Sequence, residues 1–214
     1  MTPFVIAVDG PAASGKGTIA GRLGAHYGLP VLDTGLLYRA VGVLSADPDD
    51  ARASAAAAKS LAAAMLEDPA LRTRAAGELA SRVGVHPEVR AALLDFQRDF
   101  AGQPGGAVLD GRDIGTVICP DAPAKLFVTA TPEVRAGRRW RQLTGQGEAV
   151  SLEDVLTDIR RRDARDGGRA AAPLTQAAEA VLLDTSEMDI DRAFDAARRI
   201  VEAARGRWET SQPG

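Results

Sequence analysis

Gly10-Pro11-Ala12-Ala13-Ser14-Gly15-Lys16-Gly17-Thr18 stands between a short apolar run, Phe4-Val5-Ile6-Ala7-Val8, and the start of an amphipathic pattern, Ile19-Ala20-Gly21-Arg22-Leu23. Strand, glycine-rich loop and helix in that order turn such a string into a phosphate cradle, not a chance turn. The glycines let the backbone wrap phosphate oxygens, with successive N–H groups and the helix N-terminus facing the anion. Lys16 then reaches the terminal phosphates as a mobile charge, and residues Gly10 to Thr18 are the expected ATP-binding loop. One detail departs from the general motif: Gly17 follows Lys16, and the hydroxyl comes one place later, at Thr18.

Outward from this loop, four more segments read as strands, at 30–33, 107–110, 124–130 and 180–184. Each is apolar and continuous, which suits a parallel sheet covered on both faces. Helical patterns separate them. Thr131-Pro132-Glu133 and Ser151-Leu152-Glu153-Asp154 are N-terminal capping patterns, and Asp189 and Asp191 open a last helix from 190 to about 204. From 36 to 102 only helical patterns occur, broken at Asp68-Pro69 and His86-Pro87. The expected fold is α/β: a P-loop, doubly wound, five-stranded parallel sheet with an inserted helical lobe and a short lid. The core spans 1–35 and 103–214 with the lid near 145–170, the lobe spans 36–102, and the tail from 209 to 214 is expected to fray.

Composition excludes several classes. A chain of 214 residues with net charge −3 gives no support for a nucleic-acid-coating or membrane-surface protein. No apolar run is long enough to span a bilayer and no secretory leader is visible, so a cytoplasmic protein is expected. Cys119 is the only cysteine, which forbids an internal disulfide and reads as a small packing residue. His26 and His86 are isolated, without metal-ligand spacing. Among 26 basic residues only Lys16, Lys59 and Lys125 are lysines, so being an arginine carries no information and position must. The chain has no asparagine, so the Asn-Lys-x-Asp guanine-reading motif of small GTPases cannot exist here. What remains is a small phosphotransferase.

Five segments give a resemblance over nearly the whole chain. They are the loop from Asp9 to Thr18; Leu32-Asp33-Thr34-Gly35 with Tyr38-Arg39; Val108-Leu109-Asp110-Gly111-Arg112-Asp113-Ile114-Gly115-Thr116-Val117; Arg162-Asp163-Ala164-Arg165-Asp166 with Arg169 and Ala172-Pro173-Leu174; and the strand at 180–184. The chain resembles the bacterial cytidylate kinases, nucleoside monophosphate kinases of the P-loop class. That resemblance implies phosphorylation of CMP and dCMP by ATP, with small-molecule substrates, no nucleic-acid or membrane partner, and a monomer. It places Arg39 and Arg112 on the acceptor phosphate, with Arg72 a further candidate. It puts Asp113, Arg90 and Ser81 on cytosine and Thr34 on base or ribose. It sets Arg162 and Asp166 near the acceptor ribose, and Arg165 and Arg169 near phosphates. Lys16, Arg112, Arg162 and Arg165 form the expected catalytic set. Mg2+ would bridge the ATP phosphates largely through water, with Thr18 and Asp33 as direct or outer-shell partners. Longer members of the family carry a strand-containing insert between the positions matching Ala40 and Arg72; here that span is short and alanine-rich.

The same residues make chemical sense without the resemblance. An acceptor phosphate oxygen is already anionic, so transfer of a γ-phosphoryl group needs positioning and charge neutralisation instead of a strong base. Cytosine offers an amino donor at N4 and acceptors at O2 and N3, which a carboxylate and an arginine or serine complement. Plainer readings stand beside these. Arg90 could lie on a solvated helix face, Ser81 could be a surface serine, and Tyr38 could be packing as readily as contact. Arg162, Arg165, Asp166 and Arg169 share one helix face, either as a lid over the nucleotides or as a surface held by Asp158–Arg162 and Arg162–Asp166 pairs. Two rivals remain open: a monophosphate kinase with another acceptor such as UMP, and a non-catalytic nucleotide sensor.

Overall fold

The computed structural model describes residues 2–212. Its elements run β1 (Phe4–Asp9), α1 (Lys16–Tyr27), β2 (Val31–Asp33), α2 (Thr34–Leu44), α3 (Ala51–Lys59), α4 (Arg74–Val83), α5 (Pro87–Ala101), β3 (Gly106–Gly111), β4 (Ala124–Thr129), α6 (Pro132–Gly145), α7 (Leu152–Gly167), β5 (Val181–Asp184) and α8 (Ile190–Ser211). Between α3 and α4 lie two short 3-10 turns, Ala63–Glu67 and Pro69–Arg72, and a single π-helical turn, Ile114–Ile118, follows β3. The five strands form one parallel sheet in the order β2-β3-β1-β4-β5.

Every residue of β1 and β3 is buried, because helices cover both faces of the sheet. Alternate side chains feed two cores. Val5, Ala7, Ala107 and Leu109 pack with Leu37, Val41 and Leu93 on one face. Ile6, Val8, Val108 and Leu126 pack with Leu23, Ala197 and Val201 on the other. The central strand β1 therefore delivers the loop at 10–15 to the carboxyl ends of the strands, where open α/β sheets bind ligands. The capping patterns form as the sequence implies. Thr131 Oγ1 accepts from Val134 N at 3.3 Å, Ser151 Oγ from Asp154 N at 3.0 Å, and Asp189 Oδ1 from Arg192 N at 2.8 Å.

The last helix differs from the expectation. It continues past 204 to Ser211, and the tail expected to fray is helical from Glu209 to Ser211. Tertiary packing extends it: the Trp208 ring lies 5.1 Å from that of Phe4, and Gln212 Oε1 accepts a 2.6 Å hydrogen bond from Thr2 Oγ1. Pro213 and Gly214 lie outside the described residues.

Gly10 is where strand becomes loop. Its φ is +151°, and a Cβ there would sit 2.0 Å from the Val128 carbonyl oxygen of β4. Both the backbone conformation and the close approach demand glycine. Gly10→Ala is expected to cost about 2–4 kcal/mol. Urea denaturation followed by circular dichroism checks this, and a cost below about 1 kcal/mol would mean that the loop is not locked against β4.

Candidate active site

A cleft of about 1040 Å³ opens where β1, β2 and β3 end. The phosphate loop forms its floor. Ala13 and Gly15 hold φ of 60° and 92°, the left-handed turns that curl the backbone before α1. Lys16 Nζ reaches Asp110 Oδ1, at the end of β3, at 3.1 Å. Burial drives the Lys16 ammonium down and the Asp110 carboxyl up, and their mutual attraction opposes both shifts. A Cβ on residue 17 would come within 3.1 Å of Asp110 Oδ2. This gives a physical reason for glycine, and not a hydroxyl residue, directly after the lysine. Thr18 and Asp33 line the same region. Asp33 Oδ1 also caps α2 through Gly35 N at 2.9 Å.

Facing the loop is a crowd of guanidinium groups. Arg39 comes from α2 and donates to Leu71 O at 3.1 Å. Arg112 follows β3, and its Nε donates to Asp166 Oδ2 at 2.9 Å. Arg162 comes from α7, and its buried Nε has no partner. Burial, reinforced by Arg112 and Arg39, pushes the Arg162 guanidinium down to about 10. Arg72 lines the cleft beside them. Unpaired donors and mutual repulsion among half-buried cations make a site for a multiply charged anion.

At the far end Asp113 is buried and ion-paired with Arg90, whose guanidinium lies 5.6 Å from the centre of the Tyr38 ring. Only 10% of the Arg90 side chain is exposed, so it does not lie on a solvated face. Ser81 is 4% exposed with its hydroxyl unpartnered, so it is not a surface serine. Tyr38 both packs against the core and sits beneath Arg90. Thr34 Oγ1 donates to Asp110 O at 2.8 Å and ties α2 to β3.

On α7 the plainer surface reading does not hold, and Arg165 lies apart from the residues that line the cleft. Neither surface pair forms: Asp158 is held by Arg74 and by Arg161, and Asp166 by Arg112 and Arg169. The face is turned inward, leaving Asp166 2% exposed. Arg165 does not join the cleft either. Its Nη2 donates to Glu78 Oε1 of α4 at 2.9 Å, because docking α7 on α4 offers that carboxylate first. Arg169 lies past the helix end at Gly167 and returns to Asp166.

Burial raises the Asp166 carboxyl, but the Arg112 and Arg169 guanidiniums outweigh it and leave the group below its ordinary 3.8. A lowered carboxyl contributes stability above its unfolded value and loses it as pH falls through the folded one. Asp166→Asn is therefore expected to flatten the fall in Tm below about pH 4. An unchanged acid limb in scanning calorimetry would refute this.

Several functional positions were missed by the sequence reading. Asp110 stands in the same motif as Arg112 and Asp113, but its role depends on Lys16, which is distant in sequence. Arg135 donates to Ala12 O at 3.2 Å, and Arg138 to Ser14 O at 3.3 Å, so α6 braces the loop carbonyls. No local signal separates these two from the other arginines of this chain. Asp9, buried at the end of β1, accepts from Ile114 N and Gly115 N. Burial pushes its carboxyl up to about 6 against the pull of those two donors. Cys119 is partly buried, and burial pushes its thiol up to about 11, consistent with packing and not with reactivity. Among the described residues no helix is long and apolar enough to cross a membrane.

A phosphate loop facing clustered arginines across a cleft, on a parallel α/β sheet, defines a P-loop phosphotransferase. The family model described as cytidylate kinase matches residues 6–203. A protein of Caulobacter sp. (strain K31) named cytidylate kinase is 68% identical over 209 residues, 96% of this chain and 97% of that protein. A protein of Xanthobacter autotrophicus with the same name is 66% identical over 94% of this chain and 99% of its own length. The crystal structure of an uncharacterized protein from Eubacterium ventriosum shares the fold with a TM-score of 0.56 at 16% identity, covering 94% of this chain and 99% of that one. The chain belongs to the cytidylate kinase family.

Proposed function

We propose that this protein transfers the γ-phosphoryl group of ATP to the phosphate of CMP or dCMP, giving ADP and CDP or dCDP by direct in-line displacement. The acceptor oxygen attacks the γ-phosphorus as the bond to the ADP oxygen breaks, so no covalent enzyme intermediate and no strong base are needed. Lys16 and the loop N–H groups hold the β- and γ-phosphates, and Arg39, Arg112 and Arg162 hold the acceptor phosphate and neutralise charge on the transferring group. Asp166 orients Arg112 and faces the ribose. Arg72 and Arg169 extend the positive wall. The helices from 36 to 102 serve as the acceptor lobe, and the segment near 145–170 as a lid that excludes water.

The observation that carries the choice of base is the buried Arg90–Asp113 pair beside the unpartnered Ser81 hydroxyl. Asp113 accepts from the N4 amino group, and Arg90 and Ser81 donate to N3 and O2. Uracil presents an oxygen to Asp113 where cytosine presents an amino group, which opposes UMP. The clustered guanidiniums opposite the loop argue against a mere nucleotide sensor, which has no use for an acceptor-phosphate site. Thr18, Asp33 and Asp110 supply hard oxygen donors beside Lys16, a set that fits Mg2+ held partly through water. Bound there with ATP, Mg2+ would offset the charge of the β- and γ-phosphates. The reading places the enzyme in the cytoplasm as a monomer, with its single thiol unpaired.

ATP turnover with CMP, dCMP, UMP and AMP offered separately tests the proposal. Fast ADP release with CMP and dCMP alone is expected. Equal turnover with UMP would overturn the choice of base, and ATP binding without acceptor-dependent ADP release would overturn the reaction.

A further inference from the structure

The mechanism leaves one buried carboxylate unused. Asp9 ends β1, the central strand, and is followed by Gly10 at the mouth of the phosphate loop. Its side chain crosses to the segment after β3 instead of joining the cleft. Oδ1 accepts from Ile114 N at 2.8 Å and Oδ2 from Gly115 N at 2.7 Å. These N–H groups open the π-helical turn at Ile114–Ile118 and, as at any helix start, have no partner inside it. Asp9 itself is 5% exposed, so water does not compete for the contact.

The residues just before that turn are Arg112 and Asp113. Asp113 sits at φ −143°, ψ 26°, outside regular helix or strand, and its carbonyl accepts from Val117 N and Ile118 N. The turn is thus held from within at Asp113 and from outside at Asp9. Gly115 allows the close approach, since a Cβ there would lie 3.3 Å from Asp9 Oδ2.

We propose that Asp9 is a positioning residue that locks the Arg112–Asp113 segment against the phosphate loop and so sets the acceptor in register with the donor. The inference rests on the reading that Arg112 and Asp113 hold the acceptor nucleotide. A carboxylate is required because both partners are donors. A carboxamide supplies one accepting oxygen and turns its amino group toward the other N–H. Displacement of reacting groups by about an ångström costs as much as a hundredfold in rate.

The test is Asp9→Asn, with kinetics for CMP, UMP and ATP and with hydrogen exchange of the peptide covering 111–119. The expected result is faster exchange of that peptide, KM for CMP raised at least about tenfold, and a CMP-over-UMP preference reduced at least about tenfold, with KM for ATP within about threefold. A purely structural role would lower Tm and weaken all substrates in step, which would overturn the proposal, as would unaltered exchange. If the wild type itself shows no preference for CMP, the substrate reading fails, and the exchange arm still decides whether Asp9 holds the segment. Should Asp9→Asn not fold, Gly115→Ala presses on the same contact from the other side. It is expected to shift the same quantities in the same direction by less, and unchanged values there would also overturn the proposal.

Discussion

Lys16→Ala is expected to lower kcat by about 10³-fold or more, with a smaller change in the affinity for CMP. The ammonium sits in the floor of the cleft, with 13% of the side chain exposed and Asp110 as its carboxylate partner. On the proposed function its charge would act on the transferring phosphoryl in a site with little water, and a neutral side chain has nothing to replace it. Removing one member of a buried ion pair usually costs about 3–5 kcal/mol, because the other charge is stranded. Burial pushes the Asp110 carboxyl up and the Lys16 charge opposes that shift, so the two groups are linked. Single-turnover kinetics beside a Tm measurement separate the two effects. A folded variant that turns over within about tenfold of the wild type would show that Lys16 does not hold the transferring group.

Asp113→Ala is the second large effect. CMP should lose about 10²–10⁴-fold in kcat/KM while UMP loses far less, so that discrimination between the two bases collapses. The carboxylate is buried, and the donors aimed into its surroundings are those of Arg90. In the structure Asp113 is satisfied by that guanidinium; on the proposed function it would gain the N4 donor of cytosine, with Arg90 free to donate to N3 and O2. The alanine variant leaves Arg90 buried without its carboxylate, which adds about 1–3 kcal/mol of instability and is checked by urea denaturation. Equal losses for CMP and UMP would mean that Asp113 only braces Arg90 and does not read the base.

The core elements were legible because each is built from neighbours in sequence. A continuous apolar run such as Phe4–Val8 has no exposed face to offer and therefore becomes a covered strand. Thr131-Pro132 and Ser151 start helices through contacts three residues long. Lys16 was legible because its loop is a local structure. Asp110 was harder to read: its partner is 94 positions away, and its role follows from β3 lying beside β1. The same holds for Arg135 and Arg138, two arginines among many until α6 is seen against the loop carbonyls.

Arg165 shows the limit most clearly. Helical periodicity puts it on one face with Arg162 and Asp166, and periodicity alone cannot say which neighbour that face meets. Docking of α7 on α4 brings Glu78 to it and takes it out of the cleft. Chain order and local chemistry thus determined the class of protein, the sheet and the phosphate loop, while the residues proposed for the acceptor site came from the family resemblance. Only the tertiary structure decided that Lys16 is held by Asp110, that Arg162 is left without a partner, and that Asp9 reaches over to Ile114 and Gly115. The contacts of Lys16 and of Asp9 join residues far apart in sequence and exist only once strands β1 and β3 lie side by side, and Arg162 is isolated by the docking of α7.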